Sequence, residues 1–154
     1  MIYKRGDEIL SKVCREVDMD DPIDYHIVQE CIIALKSEFN PKTMLGLAAP
    51  QVGYDICVFL MRDGVYINPK FTPVGQRTCR KEEGCVSIPG LRGEVDRYTG
   101  INISYCSEKG EYLSGRLYNM DARVFQHEWD HLQGVLFNSK MMKPSLASLF
   151  KLRK

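Results

Sequence analysis

Histidine is scarce in this chain, with three in 154 residues. Long apolar runs are missing as well. The longest uncharged, apolar-leaning stretch, residues 44–54, contains Gly46, Pro50, Gln51 and Gly53, which excludes it as a membrane span. Charge of one sign is not in excess: the formal net charge is +1, so nothing argues for a nucleic-acid or strongly acidic partner. No C-x-x-C pair occurs, and the six cysteines (14, 31, 57, 79, 85 and 106) form no dense framework. They are expected to be free thiols in a reducing compartment. The first twenty residues are charged throughout and lack the apolar core of a signal peptide. The expected location is therefore the cytoplasm, or an organelle if a targeting segment has been removed. Repeats and linker-like stretches are also lacking. A 44% hydrophobic, 27% charged composition at this length predicts one domain over 1–154, with residues 140–154 a short basic tail.

What is present reads as α+β. Residues 22–39 predict a first helix, with Asp21 as its cap and Pro22 in its first turn. Its apolar stripe is Ile23, Ile27, Cys31 and Leu35, widened by Ile32 and Phe39. Short β-rich runs follow: ICVFLM (56–61), VYIN (65–68) and INISY (101–105), with a hairpin turn at EKGEY (108–112). A second helix is predicted over 120–133, capped near Asn119 or Asp121 and stopped by Gly134. Phe125, Trp129 and Leu132 should form its buried face. GVLF (134–137) reads as another short strand, and SLASLFKL (145–152) as a brief terminal helix. Strands grouped about one central helix give α+β rather than alternating α/β.

Two of the three histidines fall in QHEWDHLQG (126–134). On a helix, His127 and His131 share a face and can present nitrogens to one ion, with Glu128 at its edge. H-E-x-x-H is the zinc-hydrolase pattern, two ligands and a proton-handling glutamate. Alone it balances evenly against a structural pair. After His131 the chain has no Asp, Glu, His or Cys, and Phe137 stands where metzincins carry a third histidine. Both familiar zinc-protease patterns are thus excluded, and a further ligand must come from upstream. His26 reads as a surface residue. Thiolate suits Zn²⁺ or Fe²⁺, and Cys85, in KEEGCVSIPG, sits where the backbone can bend around a site. Spacing alone does not decide that choice.

LGLAAPQVG (45–53), EGCVS (83–87) and QHEWDH (126–131), in that order, resemble the peptide deformylases. That family carries G-x-G-L-A-A-P-Q, E-G-C-L-S and Q-H-E-x-D-H-L at comparable intervals. The resemblance spans residues 40–137 and is loose beyond them. It implies twisted antiparallel sheets packed around a central metal-binding helix. It also implies that Cys85, His127 and His131 hold one divalent metal, Fe²⁺ first, with Zn²⁺, Ni²⁺ or Co²⁺ as alternatives. Glu128 would be general base and then general acid, and Gln51 with the backbone N–H of Val86 would stabilise the oxyanion. Met44, Leu45, Gly46, Arg92 and Val124 would line the groove, and Ala48 and Ala49 with Gly46 would let a substrate backbone approach closely. The implied substrates are nascent N-formylmethionyl peptides, cleaved to formate by a monomer with no membrane or specific nucleic-acid partner.

Met44 departs from the family by replacing its first glycine, which bears on substrate fit. The tail beyond the catalytic helix is short, and its lysines read as a solvated end or as a weak ribosome contact. Glu83 and Arg97 suggest an ion pair bracing the cysteine loop, and Asp130 an arginine partner. A silent metal-binding domain of the same fold is one alternative, although it would need neither Gln51 nor Glu128. A related hydrolase with another N-acyl substrate is a second.

Overall fold

The computed structural model describes residues 1–142, so the SLASLFKL segment and most of the basic tail lie outside the described residues. Helix α1 (Pro22–Glu38) begins as predicted, with the Asp21 carboxylate accepting from the Asp24 N–H. Strands β1 (Gly46–Ala48), β2 (Val58–Met61) and β3 (Gly64–Pro73) follow, with a 3-10 turn at Ala49–Val52. Then come β4 (Thr78–Cys85), β5 (Ile88–Tyr98), β6 (Gly100–Cys106), β7 (Tyr112–Tyr118) and helix α2 (Asn119–Leu132). Five strands form one antiparallel sheet in the order β1-β2-β3-β6-β7, while β4 and β5 pair as a separate ribbon.

The sheet is covered by a helix on each face, which explains why VFLM in β2 is apolar without interruption. Side chains alternate across a strand. Val58 and Leu60 join Val28, Cys31, Ile32 and Leu35 of α1 in one core. Phe59 and Met61 point the other way, into a second core with Phe125 and Leu132 of α2. Phe125 anchors that core by meeting the Phe59 ring edge-on at 5.0 Å. On its other side α2 meets the ribbon, where Gln126 bonds the N–H and C=O of Tyr98 and Arg123 donates to the Val95 carbonyl. The helix is thus wedged between sheet and ribbon.

Several expectations need correction. Ile23 is 70% exposed, and Asp24 takes the inward position beside Val28 because Arg15 and the Asp18 N–H satisfy its carboxylate. Cys57 precedes β2 rather than lying within it. GVLF is not a strand: Gly134 adopts a left-handed φ of 74°, the Val135 N–H bonds back to Asp130, and a 3-10 turn starts at Phe137. The start of α2 carries no side-chain cap, neither Asn119 nor Asp121, and Asn119 itself, at φ 53°, donates its N–H to the Thr99 carbonyl. Strands β4, β5 and β7 have no counterpart among the predicted elements.

Candidate metal centre

Helix α2 sets His127 and His131 one turn apart, with ring centroids separated by 5.2 Å. The third member comes from the ribbon. At the end of β4 the pairing register shifts between Gly84 and Cys85, so that Gly84 faces Arg92 but Cys85 faces Ile88. This bulge re-aims the cysteine, as such irregularities do beside functional sites. Its Sγ lies 3.5 Å from His131 Nε2, and the candidate ligand atoms of Cys85, His127 and His131 all fall within 4.8 Å of one another. The structure therefore brings together the pair and the upstream thiol that the sequence set apart.

A layer of buried charge holds this cluster. Glu83 accepts from Arg97 through both oxygens at 2.9 Å, from Arg123 at 2.6 Å and from His127 Nδ1 at 2.8 Å. Arg97 also pairs with Asp130, which in turn accepts from Lys140. The Glu83–Arg97 brace and the arginine partner of Asp130 are as expected, but the link from Glu83 to His127 goes further. It fixes the ring and leaves the other ring nitrogen for a cation. Burial opposes ionisation of Glu83, but hydrogen bonds from Arg97 and His127 hold its carboxyl well below the usual range. Glu83→Ala should leave Arg97 and Arg123 short of a counter-charge and destabilise the protein by about 3–5 kcal/mol. Urea denaturation checks this, and a loss below about 1 kcal/mol would mean the arginines find other partners.

The titrating groups suit a cation. Burial keeps His131 well below its ordinary range, so its imidazole is neutral and offers a lone pair. Burial also acts to lower His127, but hydrogen bonds to Cys85 and Glu83 prevail and raise it to about 10. A divalent ion at this ring displaces that proton, since imidazole ligates only in its neutral form. Burial pushes the Glu128 carboxyl up to about 7. Glu128 Oε1 and His131 Nδ1 are buried without a hydrogen-bond partner in the described residues. Soft thiolate with two imidazoles is a donor set for Fe²⁺, Zn²⁺, Ni²⁺ or Co²⁺. The residues present fit such an ion.

Beside the cluster lies an open groove of ≈ 660 Å³, and Met44, Leu45, Gly46, Arg92 and Val124 all line it together with Gln51, Val86 and Glu128. Arg92 is engaged there by Glu82 of the facing strand. One expectation changes. Ala48 and Ala49 are fully buried and face the cores. Gly46 must stay small for a further reason: a Cβ on it would stand 2.8 Å from Glu128 Oε2. The missing side chain makes room for the Glu128 carboxylate.

Sequence reading missed Ser87, Tyr3 and Lys4. Gln51, 1% exposed, receives the Ala48 N–H on Oε1 at 2.9 Å and directs Nε2 to Ser87 Oγ at 3.1 Å. Lys4 Nζ donates to the Val86 carbonyl at 2.9 Å. Ser87 stood inside the EGCVS motif and could have been singled out. Tyr3 and Lys4 carry no such signal.

Known proteins agree with this geometry. The family model for polypeptide deformylase matches residues 1–146. The peptide deformylase of Pseudothermotoga lettingae is 35% identical over 135 residues, 86% of this chain and 77% of that protein. The crystal structure of peptide deformylase from Thermotoga maritima superposes with a TM-score of 0.78 at 34% identity, covering 93% of this chain and 97% of that one. A Met-Ala-Ser-bound class I type b peptide deformylase from Acinetobacter baumannii gives 0.82 at 28% identity, over 92% and 97%. Family model, relatives and superposed structures converge on one family and one fold, and the chain belongs to the polypeptide deformylase family.

Proposed function

We propose that Cys85, His127 and His131 hold one divalent ion, Fe²⁺ by preference, and that Glu128, Gln51 and the Val86 amide carry the deformylase reaction around it. The chain is a hydrolase that splits the N-formyl amide of N-formylmethionyl peptides. Water adds to the formyl carbon, the C–N bond breaks, and formate and a free amino terminus leave. A bound divalent ion supplies Lewis acidity, polarising the carbonyl and lowering the pKa of water toward about 7.

The protein's own groups do the rest. Glu128 takes a proton from the attacking water and returns it to the departing amine, a task suited by a carboxyl pushed up to about 7. Its free, buried Oε1 is the observation that carries this reading, since a structural metal site needs no unpartnered carboxylate oxygen beside it. Gln51 Nε2–H and Val86 N–H stabilise the negative oxygen of the tetrahedral intermediate. Among the described residues strand β1 pairs only with β2, and its other edge, at the groove, can accept a peptide as an added strand. Val86, Ile88, Leu91 and Val124 give the groove apolar walls suited to a methionine side chain. The tripeptide Met-Ala-Ser bound to the Acinetobacter enzyme supports a peptide of that kind as product.

Among the described residues no helix is long and apolar enough to cross a membrane. Nascent chains in the cytoplasm are the partners this chemistry requires. The test is formate release from formyl-Met-Ala-Ser by protein prepared anaerobically with Fe²⁺ or Ni²⁺. Turnover should disappear on chelation and return with metal. A loaded protein that releases no formate would overturn the assignment in favour of a silent metal-binding domain.

A further inference from the structure

Gln51 can act as an oxyanion donor only if its amide is turned the right way, because exchanging Oε1 and Nε2 converts the donor into an acceptor. We infer that Ser87 is the positioning residue that fixes this orientation, and that the N-terminal segment at Tyr3 sets Ser87 in turn. The inference rests on the donor role given to Gln51 above.

The hydrogen-bond directions carry the argument. Ser87 is fully buried, and its hydroxyl proton goes to the Tyr3 carbonyl at 2.6 Å. With that proton committed, the oxygen presents only lone pairs to Gln51, and the atom 3.1 Å away must be Nε2. The Ala48 N–H demands the same choice from the opposite side, since it needs Oε1 as acceptor. One Nε2 hydrogen is thereby tied to Ser87. The other is left on the side of the cluster, with Nε2 3.5 Å from Cys85 Sγ.

Tyr3 is held firmly enough to serve as the anchor. Its N–H donates to the Gln51 carbonyl at 2.9 Å, and the next-but-one residue, Arg5, donates to the Ser87 carbonyl at 2.8 Å. Lys4 between them reaches the Val86 carbonyl. Residues 3–5 therefore lace the turn that carries Val86 to the turn that carries Gln51. Both proposed oxyanion donors depend on the same short segment. Gly53, at φ 98°, permits this approach: a Cβ there would stand 3.1 Å from the Tyr3 ring.

The experiment is a double-mutant cycle on metal-loaded protein, with formate release, metal content and exchange of the Gln51 side-chain amide in the Zn²⁺ form as readouts. Ser87→Ala should lower kcat about tenfold, less than the roughly 10²–10³ for outright loss of a donor. KM should stay within about twofold, since the contact acts on the transition state. Metal content should be unchanged, amide exchange should accelerate, and Ser87→Thr should recover most of the loss. In a Gln51→Ala background, Ser87→Ala should cost nothing more. Wild-type kcat in Ser87→Ala, or the same loss with Gln51 already absent, would overturn the inference by showing that Ser87 does not act through Gln51. An unchanged kcat in Gln51→Ala would instead overturn the donor role itself. If Ser87→Ala does not fold, the wild-type measurement still decides: a freely exchanging Gln51 amide would refute the proposed bond.

Discussion

Glu128→Ala is expected to lower kcat by on the order of 10³-fold while the protein keeps its fold and its metal, because general acid–base groups contribute roughly 10²–10⁴. The substitution removes the carboxylate proposed to move protons and touches none of the three candidate ligands. Stability should move little, or in the opposite direction. Glu128 is 4% exposed, its Oε1 has no partner among the described residues, and burial raises its pKa to about 7, so the native state bears a cost for keeping the group there. Removing a buried, unsatisfied polar group relieves that cost, although the void left over Gly46 offsets part of the gain. The variant's Tm should therefore be no lower than that of the wild type by more than a few degrees. Steady-state formate release, metal analysis and thermal melting on the same preparation check all three points. Turnover close to normal would assign proton transfer to another group.

The same carboxylate shows how much of the site the sequence made legible. Spacing placed His127, Glu128 and His131 together because a helix imposes its own geometry on residues one to four apart. Cys85 stood out by its setting between Gly84 and Ser87, yet spacing could not choose it, since the ribbon that delivers it was not visible. TCRKEEGC in β4 is polar and half solvent-exposed, and YLSGRLY in β7 is exposed along nearly its whole length. Neither has the apolar alternation that marks a half-buried strand. The Glu83–Arg97 pair was anticipated, but a run of charges does not show that Glu83 also turns inward to Arg123 and His127. Only the tertiary fold brings Arg97, Arg123 and His127 around it from three separate segments. Gly46 was read as a place that must stay small beside the groove, and its contact with Glu128 adds a reason the sequence did not show. Sequence gives the residue type, while the contact that requires it comes from α2, more than eighty positions away.

The second large effect is expected at Cys85. Cys85→Ser should lose most of its metal and with it more than about 100-fold in kcat/KM, exceeding the roughly 10–100-fold that loss of a supporting hydrogen bond costs a metal site. The geometry is nearly preserved by this change, so the loss reports chemistry. A thiolate is a soft anion that matches Fe²⁺, Zn²⁺ or Ni²⁺, whereas a serine hydroxyl stays neutral at working pH and is a poor ligand for them. None of the four deeply placed thiols can substitute. Burial pushes Cys14 and Cys31 up to about 12, pushes Cys57 up to about 11, and raises Cys106 too, and none of them lies in the cluster of Cys85, His127 and His131. Cys14→Ser is accordingly the control: its side chain lies outside the cluster, and metal content should not change. Metal stoichiometry measured on both variants after identical anaerobic loading separates the cases. A full complement of metal in Cys85→Ser would show that the two histidines find their third ligand elsewhere, and the bulge at Gly84–Cys85 would then need a purely structural explanation.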